Sequence, residues 1–131
     1  MRIMKAGVAA MLLAAAGCAD DSMPGGTCTA SFATITVTVV DGQSQPVTGA
    51  SVTATLVRTG ETLVPTTLML TVPGTYALVD DGSTHLIRRS GDAVQASISK
   101  GSQSVTADYV VAVADGCHIS KVSGPDTVSL K

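Results

Sequence analysis

Apolar and polar residues alternate over two neighbouring stretches of the chain. In the first, Ile35, Val37 and Val39 alternate with threonines, and the same alternation returns over residues 52–57. Because successive side chains of a strand point to opposite faces, this pattern predicts two half-buried β-strands. The residues 41–46 between them, Asp-Gly-Gln-Ser-Gln-Pro, are turn formers.

Short apolar runs separated by turn residues continue to the end of the chain. A break is expected at residues 58–61, and further turns at Pro73-Gly74, residues 80–83, residues 100–102 and Gly124-Pro125. The remaining apolar runs, which are candidates for strands, lie at residues 68–72, 76–78, 85–88, 94–98, 105–111, 119–122 and 127–130. Frequent turns without helical periodicity predict an all-β protein, a single antiparallel β-sandwich of seven to eight strands.

The composition agrees with this fold and narrows the possible partners. Charged residues make up 14% of the chain and aromatic residues 2%, so the core must be built from Val, Ile, Leu and Ala. The 131 residues have room for one domain. A net charge of -2, with lysines and arginines scattered along the chain, excludes a basic surface for nucleic acid.

Residues 1–17 have the features of a signal peptide. Arg2 and Lys5 precede a mostly apolar run of about a dozen residues, shorter than the roughly 20 that a membrane helix needs. Residues 15–18, Ala-Ala-Gly-Cys, resemble a bacterial lipobox, and this resemblance implies cleavage before Cys18 and lipidation of its thiol. The alternative is ordinary secretory cleavage after Ala16, which would leave Cys18 as an unpaired thiol.

The lipoprotein interpretation predicts a location. A diacylglyceryl group and an amide-linked chain such as palmitate would anchor the protein to a membrane, because each buried CH2 contributes about 0.8 kcal/mol. The residue after the lipidated cysteine is Ala19 and not Asp. In this respect the chain resembles bacterial lipoproteins of the outer membrane of the cell envelope rather than those of the inner membrane. Residues 18–27 are then the lipidated cysteine and a flexible tether, and residues 28–131 the sandwich domain.

Counting cysteines predicts one disulfide bond. The chain has three cysteines, so lipidation of Cys18 leaves Cys28 and Cys117 as a pair suited to an oxidising compartment. Cys28 precedes the first predicted strand, and Cys117 lies near the end of the chain. The alternative is two buried free thiols.

The first half of the domain carries a recognisable pattern of residues. Its members are Val37, Val39, Asp41, Gly42, Pro46, Val47, Gly49, Ala50 and Val52, followed by Gly74, Thr75 and Tyr76. They resemble the V-x-V-x-D-x-x-G-x-P-V-x-G-A-x-V and G-x-Y signature of carboxypeptidase regulatory-like domains. This resemblance implies a transthyretin-like (prealbumin-like) sandwich related in shape to Ig-like domains, and a noncatalytic module.

One cluster has side chains suited to hydrolysis or metal binding. It comprises Asp80, Asp81, Ser83 and His85, followed by Arg88 and Arg89. Asp-Asp-Gly-Ser is also the composition of a tight turn. We therefore take Asp80, Asp81, His85, Arg88 and Arg89 as a candidate surface site, and predict no catalytic residues, metal site or cofactor, because the familiar catalytic and phosphate-binding motifs do not occur.

The resemblance also raises an enzymatic alternative. Transthyretin-like proteins include 5-hydroxyisourate hydrolases, which end in a Tyr-Arg-Gly-Ser-type motif, whereas this chain ends Val-Ser-Leu-Lys. Cys117 and His118 are neighbours, so a strand would place them on opposite faces. We predict a noncatalytic, membrane-anchored envelope lipoprotein that has a structural role or binds an envelope or extracellular protein. The alternatives are a surface glycan- or peptide-binding module and, less favoured, a small hydrolase.

Overall fold

A computed structural model describes residues 28–66 and 71–131. The predicted signal peptide, Cys18 and the whole predicted tether lie outside the described residues. Within the described part of the chain there are eight strands and one 3-10 helix. In chain order they are β1 (Thr34–Val40), β2 (Ser51–Leu56), β3 (Glu61–Leu63), β4 (Thr75–Asp80), the 3-10 helix (Asp81–Leu86), β5 (Asp92–Lys100), β6 (Gln103–Ala112), β7 (Ser120–Ser123) and β8 (Thr127–Ser129).

The strands form two sheets, which confirms the predicted all-β sandwich. The smaller sheet has the order β4-β1-β8 and the larger one β3-β2-β5-β6-β7. The pairings between these strands are antiparallel except that of β1 with β8, which is parallel. This difference from a fully antiparallel sandwich arises because the chain crosses from β7 in the larger sheet to β8 in the smaller one.

The core follows the alternation seen in the sequence. In β1, Ile35, Val37 and Val39 are buried, and the intervening threonines are only partly buried. Strand β5 alternates in the same way along its length. The core is mainly aliphatic, as the composition predicts, and Tyr109 is its largest fully buried side chain. Burial of each Val, Leu or Ile side chain contributes about 1.5 to 3 kcal/mol.

Strand β3 was not expected from the sequence. Residues 58–61 carry turn formers and are predicted as a break, but Glu61 already pairs with Leu56 in a hairpin between β2 and β3. Gly60 has a φ of 74°, a conformation that favours glycine, and it closes this hairpin. A strand of three residues is too short for its alternation to be recognised.

Two further predicted strands are not present as predicted. Residues 85–88 contain the last turn of the 3-10 helix and an irregular segment. The tight turn predicted at residues 80–83 is replaced by the start of this helix, which Asp80 caps. Val72, expected in a strand, lies in an irregular segment and is exposed. Leu68 and Leu70 of the same predicted strand lie outside the described residues.

The crossing from β7 to β8 depends on a close approach between Gly124 and Tyr109. Gly124 has a φ of 128°, and a Cβ atom at this position would overlap the ring of Tyr109. The Tyr109 hydroxyl donates a hydrogen bond to the Pro125 carbonyl at 2.8 Å. The segment that joins the two sheets is therefore packed directly on the core.

Tyr76 holds the segment that leads into β2. Its hydroxyl donates to the Val47 carbonyl at 2.6 Å and accepts from the Ala50 N–H at 3.0 Å. We expect Tyr76→Phe to lower the free energy of unfolding by about 1 to 2 kcal/mol, because both partners lose a hydrogen bond. Urea denaturation measures the loss, with Thr106→Ala on the exposed face of β6 as the control. An unchanged Tyr76→Phe midpoint would contradict this role.

Candidate functional site

The candidate site lies at the end of the sandwich where the described chain begins. There Cys28 and Cys117 form a disulfide bond, with their Cα atoms 5.4 Å apart, which confirms the predicted pair. The disulfide joins the segment before β1 to the loop between β6 and β7. Residues 28–33 are thereby held against the loop of residues 113–119.

The strand register explains why these segments meet. Thr34 at the start of β1 pairs with Asp80 at the end of β4, so the residue after β4 lies beside the residue before β1. The Asp81 N–H accordingly donates to the Ala33 carbonyl at 3.1 Å. The first turn of the 3-10 helix therefore packs against the entering chain.

Asp81 connects the 3-10 helix, the segment before β1 and the loop before β7. Its carboxylate accepts hydrogen bonds from the Ala33 N–H and the Ile119 N–H, both at 2.8 Å. It also contacts Nδ1 of His118 at 2.6 Å. The Asp81 side chain is only 9% exposed, so these bonds replace most of its contact with water.

His118 extends this network to a hydroxyl at the surface. Its Nε2 atom lies 3.0 Å from Oγ1 of the exposed Thr29. The ionised Asp81 carboxylate can only accept a hydrogen bond, so Nδ1 of His118 carries the proton and donates to it. In this tautomer Nε2 accepts a hydrogen bond from the Thr29 hydroxyl. The order is a nearly buried carboxylate, an imidazole and an exposed hydroxyl.

Asp115 fixes the backbone that carries the imidazole. Its carboxylate Oδ1 accepts from the N–H groups of Cys117 and His118, both at 2.8 Å. A side chain that accepts from N–H groups two and three residues ahead stabilises a turn. These two hydrogen bonds hold the pKa of Asp115 below its usual value.

Opposing effects act on the carboxyl group of Asp81. Burial favours its neutral form, but the hydrogen bonds from Ala33, His118 and Ile119 together outweigh burial. The pKa of Asp81 therefore lies below its usual value, and the group stays ionised at neutral pH.

This lowered pKa predicts a loss of stability in acid. A carboxyl group whose pKa is lower in the folded state stabilises the protein above its unfolded pKa of about 3.9, and the contribution is lost as the pH falls through the folded pKa. We expect the urea midpoint of the wild type to fall more steeply below about pH 4 than that of Asp81→Asn. Asp108→Asn, which removes an exposed carboxylate on β6, should keep the wild-type slope. Equal slopes for the wild type and Asp81→Asn would contradict the prediction.

Asp80, predicted as a surface residue, is fully buried. Its carboxylate accepts from the N–H and the hydroxyl of Thr66 at 2.6 and 2.9 Å, and from the Gly82 N–H at 3.0 Å. Asp80 therefore caps the 3-10 helix and holds the loop after β3. It faces the interior and is not part of an exposed site.

The other residues of the predicted site, His85, Arg88 and Arg89, make different contacts and do not form a cluster. His85 is exposed in the last turn of the helix. Arg88 binds Asp92 at the start of β5. The Arg89 guanidinium lies against Gly116, where a Cβ atom would stand. Asp81 alone among these candidates belongs to the network with His118, and Arg89 borders its loop.

The sequence-based candidate site includes Asp81 but neither Thr29 nor His118, although His118 contacts both Thr29 and Asp81 in the structure. Cys117 and His118 lie in the loop before β7, so the alternation of side chains along a strand does not separate them. The predicted disulfide bond is the feature of the sequence that could have indicated the proximity of Thr29 to His118. Once Cys28 is paired with Cys117, the residues that follow them, Thr29 and His118, must also lie near each other.

A groove opens beside this network, between the first half of β1 and the start of β7. Its volume is about 310 Å³. It is lined by Thr34, Ile35, Thr36, Ile119, Ser120, Lys121 and Asp126. Lys121 and Asp126 form an ion pair at this groove. The groove is therefore mostly polar.

The described residues lack two further kinds of feature, a metal-binding cluster and a membrane-spanning helix. Over residues 28–66 and 71–131, no group of three or more His, Cys, Asp or Glu residues is placed to hold a metal ion. Within the same ranges no helix is long and apolar enough to cross a membrane.

Fold and site together define a disulfide-closed, all-β sandwich with a carboxylate–imidazole–hydroxyl network at one end. Comparison of the chain with family models, curated proteins and solved structures finds no match. The resemblance to carboxypeptidase regulatory-like domains therefore remains a proposal.

Proposed function

We propose that this protein is a noncatalytic, lipid-anchored envelope lipoprotein whose β-sandwich binds an extended segment of another envelope protein. The anchor rests on the sequence, in which the charged start, the apolar run and residues 15–18 resemble a lipoprotein signal. The pattern over residues 35–76 supports a module of the carboxypeptidase regulatory-like kind. An oxidised Cys28–Cys117 pair suits a compartment outside the cytoplasm.

The binding role rests on one observation, the half-open edge of β1. Strand β8 pairs only with Thr38, Val39 and Val40. Among the described strands, the first half of β1 therefore has a neighbour, β4, on one side only. A strand edge left open in this way can accept a further strand through main-chain hydrogen bonds.

The groove at this edge has the size and chemistry for such a segment. Three extended residues span about 10 Å, and a volume of about 310 Å³ is of the right order for a short stretch of chain. Thr34, Thr36 and Ser120 line it with hydroxyl groups, and Lys121 with Asp126 adds one charge of each sign. The occupant that fits is an extended polar peptide segment of a partner protein.

The anchor is tested by the intact mass of the protein isolated from membranes without reductant. The expected mass corresponds to a chain that starts at Cys18, carries diacylglyceryl and acyl groups, and lacks two hydrogens for the disulfide bond. Cys18→Ser should move the protein from the membrane to the soluble fraction. An unlipidated chain that begins at Gly17 would contradict anchoring.

The binding role is tested separately, by a photo-crosslinking residue at Ser120 in cells that make the full chain. We expect a cross-link to one reproducible envelope protein, mapped by mass spectrometry to a single extended segment. The matched control carries the same residue at Thr106, on the exposed face of β6. Equal capture from both positions, or none from Ser120, would contradict binding at the groove without affecting the anchor.

A further inference from the structure

The network at the disulfide end leads from a nearly buried carboxylate to a hydroxyl that solvent can reach. Asp81 contacts Nδ1 of His118 at 2.6 Å, and Nε2 lies 3.0 Å from Oγ1 of Thr29. A nucleophile within hydrogen-bond reach of a base that a third group orients is the arrangement that activates hydroxyl groups for acyl transfer. This arrangement is recognised by geometry and not by sequence position.

We propose that Thr29 is an acyl-accepting nucleophile, with His118 as its general base, that reacts with activated esters or thioesters. Asp81 is a positioning residue, which holds the imidazole with Nε2 toward the hydroxyl. The inference goes beyond the binding role proposed above and does not rest on it. After one transfer the acyl group stays attached to Thr29. The proposed reaction is therefore a covalent attachment to the protein and not catalysis with turnover.

The members of the network are positioned by contacts of their own or of a neighbouring residue. The disulfide bond fixes Cys28, the neighbour of Thr29. Asp115 binds the backbone N–H of His118 at 2.8 Å. Asp81 is fixed by the Ala33 and Ile119 N–H groups. Supporting contacts of this kind keep a reactive group close to its productive geometry.

The transfer balances in protons and bonds. As Oγ1 of Thr29 attacks the acyl carbonyl carbon, Nε2 of His118 takes the hydroxyl proton, and the imidazolium is stabilised by Asp81. The tetrahedral intermediate then loses its alcohol or thiol, which leaves with the proton from His118. The products are an ester on Thr29 and the free alcohol or thiol, and nothing is oxidised or reduced.

The test uses the full chain, purified without reductant, and p-nitrophenyl acetate as the probe. We expect addition of one acetyl group, localised to Thr29 by fragmentation of the labelled peptide. His118→Gln should slow labelling of Thr29 by about 10²- to 10⁴-fold, the usual contribution of a general base. His85→Gln is the matched control, because it removes the other, exposed histidine, and it should leave the rate unchanged.

A second pair of variants keeps the test valid if His118→Gln lowers stability. Thr29→Ser retains a hydroxyl and should be labelled, whereas Thr29→Val has a similar shape and should not. Acetyl groups confined to lysines, or labelling of Thr29 at the same rate in His118→Gln, would overturn the proposal.

Discussion

Replacement of both Cys28 and Cys117 by serine is expected to lower the free energy of unfolding by about 2 to 5 kcal/mol. The bond joins residues separated by 89 positions, so it encloses most of the described chain. Its removal restores conformational freedom to the unfolded chain, and this destabilises the folded state by comparison.

The size of this effect follows from loop length and from the nature of the core. In the chain-entropy model, a loop of this length corresponds to about 4.6 kcal/mol, which is an upper value. Small domains are stable by about 5 to 15 kcal/mol in total. Since the core is mainly aliphatic, with Tyr109 its largest fully buried side chain, loss of the disulfide removes a large share of that stability.

The measurement is urea denaturation of the wild type and of the double variant, each with and without reductant. Reductant should shift the wild-type midpoint toward that of the variant and leave the variant unchanged. A double variant with the midpoint of the oxidised wild type would show that the bond does not contribute to stability.

Replacement of Asp92 by alanine is the second change with a large expected effect. The Asp92 side chain is fully buried at the start of β5, between two arginines. Arg58 donates to it from Nε at 2.9 Å and from Nη2 at 3.1 Å. Arg88 donates from its backbone N–H and from Nε, both at 2.9 Å. Asp92 therefore joins the β2–β3 hairpin to the segment after the 3-10 helix.

We expect Asp92→Ala to lower the free energy of unfolding by about 3 kcal/mol. This is the low end for a broken buried ion pair, because the Arg58 and Arg88 side chains are 40% and 58% exposed and keep much of their hydration. Asp92→Asn should lose less, because the amide oxygen still accepts a hydrogen bond.

The same carboxylate predicts a pH dependence. The hydrogen bond from Arg58 is the main reason that the pKa of Asp92 lies well below its usual value, although burial opposes it. Its contribution is therefore complete above the unfolded pKa of about 3.9 and is lost as the pH falls through the lower folded pKa. Urea midpoints of the wild type and Asp92→Asn should converge in strong acid. A constant difference down to low pH would contradict this assignment.

Much of the fold could be predicted from the sequence, because its cause is local. The alternation in β1 and β5 has the period of a strand, and burial follows it residue by residue. The disulfide was predictable for a different reason, since only two cysteines remain once Cys18 is assigned to lipidation. The three-residue strand β3 gives too short a pattern to be read in this way.

The candidate site could be predicted only in part. Asp80 and Asp81 are neighbours of the same residue type, and no local pattern distinguishes them. The structure turns Asp80 inward to Thr66 and Asp81 toward His118. Which carboxylate becomes buried depends on where β4 ends relative to β1.

Local pattern and composition thus determined most of the strands and the aliphatic core, and the number of cysteines determined the pair. Tertiary structure alone decided the parallel pairing of β1 with β8, the half-open edge of β1 and the network of Thr29, His118 and Asp81. The members of this network lie 37 and 89 positions apart along the chain. Contacts over such separations depend on how the two sheets pack and on where the disulfide bond joins the segment before β1 to the loop before β7.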